Sequence, residues 1–146
     1  MKGWLLDTNI ISELRKTNCN PAVKAWSERQ LPQSFYLSTV TLAEIRFGIA
    51  QVENSVFTDE LMYWLDNVLR PWFKDRLLDI DEDTILIWRQ VVEQGRKRGY
   101  TFSQPDLFIS ALATQHDLCV ATRNVRDFLE SGTAVFNPFD YRPQSS

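Results

Sequence analysis

Five short apolar runs recur along the chain, each stopped by a polar or turn-forming residue: Trp4-Leu5-Leu6, Phe35-Tyr36-Leu37, Leu77-Leu78-Asp79-Ile80, Leu118-Cys119-Val120-Ala121-Thr122 and Thr133-Ala134-Val135-Phe136. Runs of this length without alternation predict strands buried on both faces. Between them apolar residues fall three and four apart, the helical spacing. Ile10, Ile11 and Leu14 predict a helix capped near Thr8 or Asn9. Asn20-Pro21 reads as an N-cap followed by proline at the first helical position, and that helix carries Val23, Trp26 and Gln30 up to Pro32. Ser38 caps a third helix over about Thr39 to Val52. A long amphipathic stretch from about Val56 to Phe73 places Leu61, Trp64, Leu65, Val68 and Leu69 on one stripe, with Pro71 kinking or ending it. A helix from about Glu82 carries Ile85, Trp88 and Val92 and ends in Gly95-Arg96-Lys97-Arg98-Gly99. Ser103 opens one that runs to about Gln115, and Asn124 to Leu129 is a short one. Strands alternating with helices predict an α/β fold with a parallel sheet covered on both faces. Ligands of such sheets bind outside the carboxyl ends of the strands.

That edge is where acidic residues are predicted to gather. Asp7 ends the first strand, Glu44 lies one turn into the helix after the second, Asp106 opens the helix before the fourth, and Asn124 and Asp127 follow the fourth. Each also has a plain structural explanation. Asp7 suits a strand-end turn, Asp106 completes an acidic variant of the capping box with Ser103, Asn124 is a natural N-cap and Asp127 suits a solvated helix face. Glu44 is harder to explain in that way. Its helix is apolar nearly all round, and Glu44 falls on the side of Val40 and Phe47, with Arg46 roughly opposite. On a buried side it should be paired, protonated or metal-bound.

Composition removes competing chemistries. The single histidine, His116, excludes multi-histidine zinc sites and reads as a turn residue. Cys19 and Cys119 show no metal spacing, and Cys119 reads as a core residue. Gly3, Gly48, Gly95, Gly99 and Gly132 form neither a dinucleotide fingerprint nor a phosphate loop. No apolar stretch approaches the roughly 20 residues of a membrane helix. The 146 residues suit one domain, expected over 1–140 with a loose tail over 141–146. A net charge of −3 argues against a broad DNA-coating face. What remains is carboxylate chemistry. Crowded carboxylates repel, and a hard divalent cation, Mg²⁺ or Mn²⁺, offsets that cost.

The ordered segments Leu5-Leu6-Asp7-Thr8-Asn9-Ile10-Ile11-Ser12-Glu13, Ser38-x5-Glu44-x3-Gly48, Pro105-Asp106-x3-Ser110-Ala111, Thr122-Arg123-Asn124-x2-Asp127-Phe128 and Asn137-Pro138-Phe139 resemble the PIN-domain ribonucleases. Within them the chain is similar to the VapC toxins of type II toxin–antitoxin modules, in the FitB-like subgroup. The resemblance implies a three-layer α/β/α sandwich with a parallel sheet of about five strands, ordered 3-2-1-4-5. It implies Mg²⁺-dependent endonucleolytic cleavage of RNA; the two widely separated cysteines fit a reducing cytoplasm. Asp7 and Asp106 would be the main metal ligands, and Glu44 would bind the metal or orient the attacking water. Either Asn124 or Asp127 would stand for the family's fourth acid. A cognate VapB- or FitA-like antitoxin would block the site. A homodimer, a toxin–antitoxin hetero-oligomer, and operator DNA bound through the antitoxin complete the implied partners.

Around the acids, Arg123, Asn124, Arg46 and Thr8 are the candidate substrate contacts. Arg126, Arg89 and the Arg96-Lys97-Arg98 cluster could add positive charge, although basic residues also suit a helix C-terminus. Trp64, Trp72 and Trp88 read as core or interface residues. Two other readings stay open: a non-catalytic PIN-like module that binds a partner or RNA, and a nuclease directed at DNA.

Overall fold

The structure, a computed structural model, describes residues 2–101 and 104–143. Strands β1 (Gly3–Leu6), β2 (Phe35–Ser38), β3 (Leu77–Leu78), β4 (Leu118–Ala121) and β5 (Val135–Phe136) form one sheet in the order β3-β2-β1-β4-β5. Every neighbouring pair is parallel. The expected order and direction are both present. The strands are shorter than the apolar runs in three cases: β3 stops before Asp79, β4 before Thr122, and β5 starts only at Val135. At Gly3 an added Cβ would lie 2.3 Å from the Ser34 carbonyl oxygen, so only glycine lets β1 run this close to the entry of β2.

The helices are α1 (Thr8–Arg15), α2 (Pro21–Arg29), α3 (Thr39–Ala50), α4 (Ser55–Trp64), α5 (Arg70–Trp72), α6 (Glu82–Lys97), α7 (Gln104–Gln115) and α8 (Val125–Leu129). Leu5 and Leu6 go to different cores, as successive strand residues must. Leu6 joins Ile10, Ile11, Trp26, Phe35, Leu37, Ile45, Leu65, Leu69 and Phe73 on one face of the sheet. Leu5 joins Ile109, Leu112, Ala113, Val120 and Phe128 on the other. Each fully buried Leu, Ile, Val or Phe side chain among them contributes about 1.5–3 kcal/mol. Together they give the three-layer α/β/α sandwich.

Local sequence signals act as expected at several ends. Ala22 and Val23 N–H donate to Asn20 Oδ1 ahead of Pro21, and Thr41 N–H donates to Ser38 Oγ at 3.0 Å. Burial pushes the Cys119 thiol up to about 11, in keeping with a core role. Other expectations need correction. The cap of α1 is Asp7 itself, not Thr8 or Asn9. The long stretch before Pro71 is not one α-helix: α4 passes through a π-helical turn, Leu65–Leu69, before α5. A proline lacks the N–H that an α-helical ladder needs, and a π turn reroutes the carbonyls before it. On α6 the buried line runs through Thr84 and Gly95, while Ile85 is 49% exposed. Tyr141 packs against the first core, and its hydroxyl accepts from Arg29 Nε at 3.4 Å, so the expected loose tail is anchored at its start. Residues 144–146 lie outside the described residues, as does Ser103 with its proposed capping box.

Candidate active site

The carboxyl edge of β1 and β4 builds the centre of the site. Parallel pairing brings Leu6 level with Ala121, so the residues that follow, Asp7 and Thr122, leave the sheet side by side. Asp7 is only 5% exposed. Its Oδ1 accepts from the Thr8 N–H at 2.8 Å, and its Oδ2 accepts from the Thr122 hydroxyl at 2.8 Å and from Asn9 Nδ2 at 3.4 Å. Burial raises the Asp7 pKa against these hydrogen bonds, and the charge of Asp127 raises it further.

Asp106 lies in the first turn of α7 and is half-buried. Its pKa is pushed up to about 6, by burial first and then by the negative charges of Asp7, Asp127 and Glu44. Glu44 is raised by desolvation first and then by Asp7. Four acids from four distant segments therefore share one electrostatic neighbourhood. Of the two residues after β4, Asp127 is the one whose charge reaches both Asp7 and Asp106. Asn124 occupies the N-cap position of α8, but its side chain makes no capping bond; its N–H donates to Thr122 Oγ1 at 3.0 Å.

Glu44 corrects one expectation. It does share a side of α3 with Val40 and Phe47, but of the three only Val40 packs against the core, and all three line an open groove. Phe47 is 69% exposed, and Glu44 is exposed as a whole even though its carboxyl is partly screened from water. An apolar helix can leave one flank uncovered, and periodicity does not reveal which. The open groove, about 610 Å³, is lined by Val40, Ala43, Glu44, Phe47, Gly48, Pro105 and Phe108. On its other side Glu44 joins Thr8, Ser12, Arg15 and Lys16 in a cavity of about 270 Å³.

The basic candidates separate. The Arg123 guanidinium sits over the Phe139 ring at 4.6 Å from its centre, while the Arg123 backbone N–H donates to Asn9 Oδ1 at 3.0 Å. The Arg123 backbone thus joins the hydrogen-bond network of Asp7, while the guanidinium charge acts on Glu13. Arg46 lines another depression, with Ala43, Phe47, Ile49, Ala50, Thr58 and Met62, which holds none of the four acids. Three members of the basic group before Asp106 are bound to acids: Arg89 and Arg96 to Glu93, and Arg98 to Glu130. Their structural use is thereby accounted for. Trp88 stacks on Phe108, 5.3 Å between ring centres, and Trp72 packs on Phe73, so neither offers a free base-stacking face.

Two residues escaped the reading of the sequence. Thr122, fully buried, and Asn9 link Asp7 to the segment after β4. The only signal for them was their place beside the acidic motifs.

Among the described residues, no three of His, Cys, Asp or Glu converge into a ready cage for an ion. The donor set nevertheless fits a hard divalent cation. All its members are oxygens, their mutual repulsion is what a cation relieves, and Mg²⁺ keeps several waters instead of demanding a full protein cage. Thr8 Oγ1, buried and without a hydrogen-bond partner, adds an unsatisfied oxygen next to Asp7.

Known proteins share this fold. Residues 4–130 match the PIN domain family. Toxin FitB of Neisseria gonorrhoeae is 37% identical over 135 residues, covering 92% of this chain and 97% of the relative. The VapC ribonuclease Y4jK of Sinorhizobium fredii is 33% identical over 136 residues, covering 93% and 97%. A solved structure of FitAB bound to an IR36 DNA fragment superposes with a TM-score of 0.88 at 34% identity, over 97% of this chain and 99% of that one. With the order of the sheet, the acidic edge and a match that takes in most of its length, this chain belongs to the PIN domain family.

Proposed function

We propose that this chain is the toxin of a type II toxin–antitoxin module: a metal-dependent endoribonuclease that hydrolyses RNA phosphodiester bonds and is held inactive by a cognate antitoxin. The observation that carries this reading is the gathering of Asp7, Glu44, Asp106 and Asp127 at one edge of a PIN-type sheet, where burial first and neighbouring negative charge second raise the pKa values of Asp7, Glu44 and Asp106. PIN-domain ribonucleases generally need a divalent metal; here Mg²⁺ is the ion proposed, with Mn²⁺ as a substitute. Asp7 and Asp106 would hold it, with Glu44 directly or through water, and Asp127 takes the fourth-acid role. When bound, the ion lowers the pKa of a water and neutralises charge developing on the phosphate.

The rest of the work belongs to this chain's side chains. Glu44, exposed on the groove wall and raised in pKa, suits orienting or deprotonating the attacking water. Arg123, held over Phe139, supplies positive charge to the RNA backbone. Asn124 offers a side-chain amide that caps no helix N–H, and Thr8 a hydroxyl with no hydrogen-bond partner among the described residues. Arg46 would meet the RNA only farther along its path. One PIN domain over 1–140 suffices for all of this, and an RNA target implies action in the cytoplasm.

Cleavage of a structured RNA set should require Mg²⁺ or Mn²⁺, stop in EDTA, and leave DNA of matched sequence intact. Unchanged cleavage in EDTA would defeat the metal-dependent reading. Preference for the DNA would redirect it to a DNA nuclease, and RNA binding without cleavage would favour the non-catalytic module.

The antitoxin has a suitable surface. Two apolar cavities, about 350 and 270 Å³, share Arg15 and Trp64 and form a trough from Phe35 and Trp72 to Thr8 and Glu44. Arg15 lies over Phe57 and Trp64 and among the described residues forms no ion pair, so an apolar antitoxin segment carrying one carboxylate would complement it. Arg15→Glu should weaken antitoxin binding by about tenfold or more, because like charges oppose each other across a desolvated contact. Titration calorimetry reads the change. RNA cleavage by the free toxin should persist. The complex would then reach operator DNA through the antitoxin, as a hetero-oligomer built on a toxin homodimer.

A further inference from the structure

Both oxygens of Asp7 are already engaged within the protein, and the way they are engaged limits what Asp7 can do. An ionised carboxylate offers about four lone-pair positions. The Thr8 N–H takes one on Oδ1; the Thr122 hydroxyl and Asn9 Nδ2 take two on Oδ2. One position on Oδ1 is left.

The direction of the Thr122 bond is set by its neighbours. Thr122 Oγ1 accepts from Asn9 Nδ2 at 3.2 Å and from the Asn124 N–H at 3.0 Å. A hydroxyl has two acceptor positions and one proton. With both acceptor positions filled by N–H donors, the proton can go only to Asp7. Asn9 is used as fully: its amide N–H groups serve Asp7 and Thr122, and its oxygen accepts the Arg123 N–H at 3.0 Å. The network joins the end of β1 to the segment after β4 across more than a hundred residues of sequence.

We propose that Thr122 and Asn9 are positioning residues. They hold Asp7 as a one-point ligand, with a single Oδ1 lone pair left for a divalent cation, and they lock the Arg123–Asn124 segment to it. The inference rests on the metal-site reading given above. It predicts that Asp7 cannot chelate with both oxygens while Thr122 is in place. Thr122→Ser keeps the hydroxyl and the network. Thr122→Val keeps the shape, removes the proton aimed at Asp7, and strands the Asn124 N–H.

The test titrates Mn²⁺ alone into wild type, Asp7→Asn, Thr122→Ser and Thr122→Val, following the free-ion paramagnetic resonance signal, with melting temperatures measured in parallel. Outer-shell partners of metal ligands are worth roughly 10–100-fold in affinity. Thr122→Val should therefore lose about tenfold or more in Mn²⁺ affinity, and Thr122→Ser should stay close to wild type. Wild-type affinity in Thr122→Val overturns the inference. So does an equal loss in the serine and valine proteins, which would mark a packing role, and so does a wild type that binds no Mn²⁺ or binds it independently of Asp7. If Thr122→Val does not fold, Asn9→Ala carries the test: the Arg123 amide should exchange faster with solvent and Mn²⁺ should bind more weakly, and unchanged affinity overturns the inference. RNA cleavage by the same proteins is read separately. A wild type that binds Mn²⁺ through Asp7 but cuts no RNA defeats the nuclease reading and leaves the positioning comparison intact.

Discussion

Asp7→Asn is expected to abolish RNA cleavage while the fold survives. The substitution keeps the size of the side chain and an oxygen to accept the Thr8 N–H at the start of α1. It removes the negative charge that a cation needs, and it puts an amide where the Thr122 hydroxyl now donates. The loss should exceed the roughly 10–100-fold cost of disturbing an outer-shell partner, because Asp7 is the proposed ligand itself. Inducible expression of wild type and variant, with mapping of cleaved RNA ends, checks it. Growth arrest and new RNA ends should both vanish in the variant. Undiminished cleavage by a folded Asp7→Asn protein would remove Asp7 from the mechanism, and the site would then have to be sought elsewhere in the groove.

The second large effect is on stability and has the opposite sign. Asp106→Asn should stabilise the metal-free protein. The Asp106 pKa lies at about 6 in the fold against the ordinary 3.8 of a free aspartate, so the folded state holds a proton over a range where the unfolded state has released it. Between those values unfolding becomes easier as pH rises. The stabilising contribution of the protonated acid is complete below about pH 4 and is lost as pH passes through 6. At neutral pH the ionised Asp106 then works against the fold. Water screens the half-exposed carboxyl, leaving a penalty of about 1 kcal/mol. The variant should melt roughly 3 °C higher than wild type at pH 7.5 and equally at pH 3.5. Added Mg²⁺ should raise the melting temperature of wild type and not of the variant, since only a state that binds the ion gains from it. A lower melting temperature for Asp106→Asn at pH 7.5 would mean that its carboxylate is satisfied by the protein without a cation. The same acid thus costs stability and supplies the chemistry.

Much of the fold was legible because it depends on local sequence and simple periodicity. Strands buried on both faces must be apolar along their length, and the runs at Leu5-Leu6, Leu37 and Val120 are. Asn20-Pro21 and Ser38 are capping signals that operate within three residues, so they read correctly from the chain. Errors came where a neighbour in space decides. The spacing of α3 is apolar on every side, and whether the flank of Val40, Glu44 and Phe47 is covered depends on which elements pack there. The π-helical turn before α5 reflects a compromise between Pro71 and the burial of Leu65 and Leu69. Ile85 carries the right residue type at the right spacing, yet the buried line of α6 lies one position away.

The site divides in the same way. The residue types and order of Asp7, Glu44, Asp106 and Asp127, with the parallel topology that sends them to one sheet edge, were set by the sequence. Covalent order and hydrophobic period suffice for that. Only the tertiary structure decided that the charge of Asp127 reaches Asp7 and Asp106, that Arg46 lines a depression apart from the acids, and that Thr122 and Asn9 bind Asp7. Hydrogen bonds and charge interactions depend on distances of a few ångströms between residues far apart in the chain, and those distances exist only once the layers have packed.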